Sequence, residues 1–152
     1  MLMVKLPLDF KEFLNLLHIH RVNYLLVGGY AVAAHGYPRF TGDLDLWIQT
    51  SADNAENVLR VCREFGFDVP NLRAELFIDP KQMTRMGHPP LRIEILNSVS
   101  GLSFEHAWKN RIQDVWDGVP ISLISLQDLR ANKLASGRMK DLADLENLPD
   151  VT

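Results

Sequence analysis

"YLLVGGYAVAAHGYPRFTGDLDLWI", residues 24–48, decides how the rest of the chain is read. An apolar run breaks at Gly28-Gly29, a short alanine-rich piece follows, and Asp43 and Asp45 then stand inside an otherwise apolar segment. Residues two apart on a strand point the same way, so the two carboxylates share one face with their Cα atoms about 7 Å apart. Like charges held so close raise a pKa unless a cation lies between them. Mg²⁺ suits the pair, because it takes hard oxygen ligands, binds through one or two carboxylates and fills its other positions with water and substrate phosphate; Mn²⁺ accepts the same donors. A third carboxylate on a neighbouring strand would complete a clamp of two ions about 3.5 to 4 Å apart that stabilises attacking and leaving oxygens. Glu94, in "LRIEIL", is the candidate.

The glycine pair supplies the other half. A Gly-Gly turn that ends a strand and opens a helix lets backbone N–H groups approach phosphate oxygens where the helix dipole favours them. Taken singly, Gly-Gly before a helix is an ordinary turn, and Asp-x-Asp on a strand is an ordinary solvated face. Their joint occurrence, in the order strand, Gly-Gly, helix, Asp-x-Asp strand, favours a site.

Outward from this stretch, helices and strands alternate. Asp9 with Glu12 three residues on reads as a capping start, and Phe10, Phe13, Leu14 and Leu17 recur at helical spacing, which predicts a helix over 10–20. "NYLLVGG" predicts a buried strand, followed by a short helix through Ala31–Ala34 that stops at Gly36. Residues 39–49 alternate strictly, with Phe40, Leu44, Leu46 and Ile48 on one face and Arg39, Thr41, Asp43, Asp45 and Trp47 on the other. Ser51 caps an amphipathic helix that ends at Gly66. "KQMTRMGHPPLRIEIL" predicts two strands around a Gly-His-Pro-Pro turn, the second over Leu91–Leu96. "SFEHAWKN" predicts a short capped helix, and "IQDVWDGVPISLIS" a hairpin at Asp-Gly, with Pro120 pushing its second strand toward a sheet edge. Ser125, with Asp128 three on, opens two helical pieces split at Gly137.

A chain of 152 residues fits one domain with a real core. Its net charge of -3 gives no global reason to bind nucleic acid or anionic membrane, so a nucleic-acid partner is not favoured. Cys62 is the only cysteine, which excludes an internal disulfide or a thiolate zinc cluster and assigns it to packing in a reducing compartment. The opening "MLMVKLPLDFKEFLNLLHIH" carries Asp9, Lys11 and Glu12 and no long apolar run, so a cytoplasmic protein without a membrane span is expected.

"GGYAVAAHG" followed by "RFTGDLDLWI" resembles the nucleotidyltransferase superfamily that includes DNA polymerase beta, and especially its small branch related to the AbiEii toxins. "PPLRIEILNSVSGLSFEHAW" and "ISLQDLRANKLASGRMKDLADLENL" extend the resemblance over most of residues 22–148. It implies an α/β (α+β) fold, a nucleotidyltransferase-like mixed β-sheet flanked by helices in a single domain over 1–152. Asp43, Asp45 and Glu94 would be the catalytic, metal-binding triad, and Gly28-Gly29 the nucleotide-phosphate turn. Tyr30 stands where many relatives carry a serine, which leaves phosphate binding there to backbone donors. The third acid is Glu94 where relatives commonly carry Asp, which gives it a longer reach.

Lys133, Arg138 and Lys140 are candidate triphosphate contacts by the same resemblance, against the plain alternative of a solvated helix face. Asp141 could reach the site, or simply favour a helix N-terminus. Arg39 and Thr41 share the aspartates' face. His35 reads as a polar helix-end residue rather than a general base, and Trp47 as core rather than a base-stacking group. His18 and His20, two apart on a helix, diverge and do not chelate.

The leading expectation is therefore a Mg²⁺-dependent nucleotidyltransferase, with ATP or another NTP as donor and a hydroxyl acceptor that is a partner protein, a small molecule or an RNA end. The alternative is a non-catalytic or toxin–antitoxin partner-binding module on the same fold. A metal-dependent nuclease is weaker, since "RIEIL" lacks a Glu-x-Lys pattern.

Overall fold

The structure, a computed structural model, describes residues 5–151. Helix α1 (Leu8–Ile19) opens after Pro7, so Asp9 lies in its first turn, where its charge favours the helix dipole, and does not cap it as the sequence suggested. Strand β1 (Tyr24–Val27) is buried throughout, and helix α2 (Gly28–Ala34) begins at the first glycine with no intervening turn. Strand β2 (Asp43–Ile48) is shorter than the alternation over 39–49 predicted. Residues 39–42 are loop, and Phe40, expected on the core face, is 82% exposed. Helix α3 (Ala52–Phe65) has the expected caps: Ser51 accepts from the Asn54 amide, and Gly66 ends the helix in the left-handed region.

After a short 3-10 turn at Ala74–Phe77 that no sequence signal announced come the hairpin β3 (Met83–His88) and β4 (Leu91–Leu96), then helix α4 (Phe104–Lys109). Strands β5 (Ile112–Trp116) and β6 (Val119–Leu123) meet at Asp117-Gly118, both with positive φ, as a tight hairpin turn demands. Helices α5 (Leu126–Ser136) and α6 (Met139–Asn147) are split at Gly137.

The strands form one six-stranded sheet in the order β3-β4-β2-β1-β6-β5. It is mixed: β1 runs antiparallel to β2, while β2–β4 and β1–β6 are parallel. The expectation that Pro120 marks an edge is corrected, since β6 lies between β1 and β5. Pro120 is tolerated because β1 pairs with β6 only at Leu26 and Leu123, so no ladder bond is asked of the proline on that side.

Strand β2 shows why the alternation matters. Leu44, Leu46 and Ile48 are fully buried on one face. On the other, Trp47 packs edge-on against Phe104 with ring centroids 5.2 Å apart, as a core residue and away from the aspartates. Helix α1 packs on α3, with Phe13 edge-on to Phe65 at 5.1 Å, and α5 packs on α6. Cys62 is buried and its thiol is pushed up to about 12 by desolvation, which fits the packing role. No helix among the described residues is long and apolar enough to cross a membrane.

Candidate active site

Parallel pairing of β2 with β4 sets Asp45 directly beside Glu94 and Asp43 beside Arg92. Residues of one strand that share a face are two apart, so Asp43, Asp45, Arg92 and Glu94 project together from the sheet. Antiparallel pairing with β3 places Arg85 opposite Glu94 on the same face. The carboxylates are held by these two arginines. Arg92 donates to both oxygens of Asp43, at 3.2 and 3.4 Å, and Arg85 Nε donates to Glu94 at 3.1 Å. Asp45 has no such partner. Burial first, then the charges of Glu94 and Asp43, push its carboxyl up to about 7, with Lys140 opposing.

Gly28 is required twice over in this arrangement. Its φ is +71°, and a Cβ built on it would fall on Asp45 Oδ2. The backbone at the start of α2 therefore lies against the carboxylate that receives no arginine.

Two cavities open onto this face. The larger, about 630 Å³, is lined by the three carboxylates, both arginines, Asn132 of α5, Arg138 just before α6 and Lys140 of α6. A smaller one of about 250 Å³ shares Gly28, Asp43, Asp45 and Lys140 and adds Gly29, Phe40 and Thr41. Thr41 Oγ1 donates to the Asp43 carbonyl at 3.2 Å, which ties the loop to the head of β2. Among the described residues Lys140 makes no ion pair, so its ammonium faces the carboxylates unengaged.

Along one wall of the cavities runs a charge network that sequence reasoning assigned only in part. Lys133 is 6% exposed, and its Nζ donates to Asp141 at 3.1 Å and Asp144 at 3.0 Å. Asp144 also accepts two bonds from Arg39, and Asp141 accepts from Arg138 Nε at 2.7 Å and Ser136 at 2.6 Å. Burial would raise the Asp141 carboxyl, but the bonds from Ser136, Arg138 and Lys133 outweigh it and hold the group at about 2. The ammonium of Lys133 is thus occupied by two carboxylates.

The structure brings Gly28, Gly29, Thr41, Asp43, Asp45, Lys133, Arg138 and Lys140 to one place, with Glu94 beside them. Tyr30 is not with them: its side chain is buried, lies edge-on to Phe10 at 5.9 Å and lines neither cavity. His35 hydrogen-bonds the Ile124 carbonyl at 2.7 Å as a helix-end residue, and His20 pairs with Glu64 on the surface. Arg85, Arg92 and Asp144 were missed. The signal for Arg92 was present, since in "LRIEIL" it stands two residues before Glu94 and must share its face; Arg85 and Asp144 depend on strand order and helix docking.

Three hard oxygen donors crowded enough to raise one pKa are the donor set that a divalent cation relieves. As they stand they are not closed into a cage: among the described residues no group of three or more His, Cys, Asp or Glu is poised to ligate. Arg92 and Arg85 occupy Asp43 and Glu94 in this arrangement, while Asp45 is left to the cation.

Paired aspartates on a central strand, a third acid on the next strand and a glycine-led helix against them are the arrangement the resemblance to nucleotidyltransferases led one to expect. The chain belongs to the family described as "Nucleotidyltransferase of unknown function (DUF6036)", which it matches over residues 6–149. Among solved structures it is similar in fold to the lincosamide antibiotic adenylyltransferase LnuA in its lincomycin-bound form, at 18% identity and a TM-score of 0.58, covering 95% of this chain and 96% of that one. A Thermotoga maritima protein assigned to the nucleotidyltransferases is similar at 17% identity and a TM-score of 0.59, covering 90% of this chain and 88% of that one. Among curated proteins, none matches the chain in sequence.

Proposed function

We propose that this nucleotidyltransferase transfers a nucleoside monophosphate from an NTP to a hydroxyl acceptor with release of pyrophosphate, in a reaction that depends on a divalent cation. The observation that carries this reading is the register of β2 and β4, which sets Asp45 beside Glu94 with Asp43 on the same face. Asp43 and Asp45 would hold two Mg²⁺ ions, with Glu94 a ligand of the one nearer the acceptor. Bound there, Mg²⁺ supplies Lewis-acid stabilisation of charge at the transferred phosphorus.

The chain's own groups bind and orient. The backbone at Gly28-Gly29, the Thr41 hydroxyl and the side chains of Arg138 and Lys140 would hold the phosphates. As the acceptor oxygen forms its bond to the α-phosphorus and the bond to the β-phosphate oxygen breaks, Glu94 would take the hydroxyl proton. Positioning and preorganised charge carry most of the rate in such a step. Lys133 would act through Asp141 and Asp144, fixing α6 so that Lys140 faces the carboxylates. A cytoplasmic setting and a place beside the AbiEii-related branch go with this reading, supported by the segments quoted above. The larger cavity has room for a small acceptor in the manner of the lincomycin-bound relative, and the NTP is taken as ATP by the same likeness.

Thermal unfolding with each of the four NTPs, with and without Mg²⁺, tests the reading. Ligand at about 100 times its dissociation constant adds about 2.7 kcal/mol, roughly 5 to 10 °C for a chain of this size. A Mg²⁺-dependent rise with wild type that is absent in Asp43→Asn/Asp45→Asn is expected. The second reading, a partner-binding module, is favoured by Leu134 and Met139, which are 65% and 89% exposed on α5 and α6. No rise with any NTP, together with a protein that co-purifies through that face, would replace the first reading by the second.

A further inference from the structure

Phe40 is 82% exposed at the rim of the smaller cavity, and among the described residues it is the only aromatic that lines either cavity. Single exposed apolar residues are ordinary, so the weight lies in what surrounds this one. Arg39, before it, is fixed to α6 by bonds of 2.9 and 2.8 Å to Asp144, and donates to Phe40's own carbonyl at 3.4 Å. Thr41, after it, is bonded to Asp43, and the Gly42 carbonyl accepts from the Arg92 amide at 2.9 Å. Gly42 lies so close to the next strand that a Cβ on it would fall on the Pro90 carbonyl oxygen. The residues on both sides of Phe40 are therefore tied down, Arg39 through its side chain to α6 and Thr41-Gly42 to the sheet, while the ring stays exposed.

The cavity beneath the ring sets the Gly28-Gly29 backbone, Thr41, Arg138 and Lys140 beside Asp43 and Asp45, which with a divalent cation between acids and anion is the chemistry of a phosphate seat. At about 250 Å³ it is smaller than the roughly 300 to 1,000 Å³ of pockets that enclose a ligand of drug size. With the larger cavity given to the acceptor, a triphosphate seated here would leave its nucleoside at the rim, where Phe40 stands. We propose that Phe40 is the stacking platform for the base of the donor nucleotide. The inference rests on the nucleotidyl-transfer reading and assigns to it a contact residue that the sequence placed in the core. An aromatic ring on an anchored backbone loses little freedom when it stacks, which is the condition under which stacking adds affinity.

Calorimetric titration of wild type, Phe40→Ala and Phe40→Trp with the NTP and, separately, with inorganic tripolyphosphate, both with Mg²⁺, tests it. Base stacking on an aromatic side chain predicts that Phe40→Ala weakens the NTP about tenfold or more. Tripolyphosphate affinity should not change, and Phe40→Trp should bind the NTP at least as well as wild type. If Phe40→Ala binds the NTP like wild type, the base lies elsewhere and the stacking role is overturned while the transfer reading stands. Equal losses for NTP and tripolyphosphate would overturn it too, by showing that the ring only shapes the loop. If wild type binds neither compound, the transfer reading itself falls and Phe40 with it.

Discussion

Asp45 is the carboxylate whose surroundings are least compensated, and the direction of its titration makes a prediction. Its folded-state carboxyl sits near 7, above the ordinary value of 3.8, so it contributes stability that is present at low pH and lost as pH rises through about 7. Asp45→Asn removes the charge. In the presence of a chelator, the variant should be more stable than wild type at pH 8, by on the order of a few kcal/mol. That gain should shrink as pH falls through 7 and vanish near 4, as read by denaturant midpoints across pH. Gly28 makes the complementary prediction: Gly28→Ala should cost about 1 to 2 kcal/mol from the left-handed backbone alone and should displace Asp45. A melt without metal would show the first effect, and a lost Mg²⁺-dependent NTP shift the second.

The elements that hold these residues differ in how far the sequence revealed them. Helix α3 was legible because both of its ends are local chemistry, Ser51 bonding the Asn54 amide and Gly66 adopting a positive φ. The start of β2 was not, because alternation continues through Arg39 and Thr41 while the pairing with β4 reaches only to Asp43. Whether residues 39–42 join the sheet depends on Arg39, which turns away to α6. The same limit applies to Lys133: its interruption of an apolar helix face is visible in sequence, but its two carboxylate partners are set by how α5 meets α6. Removing one member of a buried ion pair costs about 3 to 5 kcal/mol because the other charge is left unpaired. Lys133→Met should therefore lower the urea midpoint by that equivalent with wild-type slope. Asp141 adds a pH signature of the ordinary sign: held at about 2, below its usual 3.8, its contribution is present above about pH 4 and lost as pH falls toward 2. In Lys133→Met the folded carboxyl moves up toward its ordinary value, so that acid-side loss should be smaller and complete at a higher pH.

On the scale of the whole molecule, strand order decides what is stable and what is reachable. β1 and β2 lie inside the sheet, while β3 and β5 form its edges. Amide exchange should be slowest in β1 and β2, near the rate of global unfolding, and faster in β5, whose Val115 is 60% exposed. Equal protection in β5 and β2 would show that something covers that edge in solution. The central position of β2 also explains why the candidate site could be glimpsed from so short a stretch. Gly28, Asp43 and Asp45 come from one local unit, whereas Glu94, Lys140 and Asp144 are delivered by elements that only the completed sheet brings near.

Arg39 and Asp144 are separated by 105 positions along the chain, yet their ion pair joins the loop before β2 to the last helix. On the ribosome, the glycines and aspartates emerge long before the residue that steadies their loop. A nascent chain thus carries the acids of the candidate site without its finished shape, which should be complete only once α6 has been made and has docked against the loop.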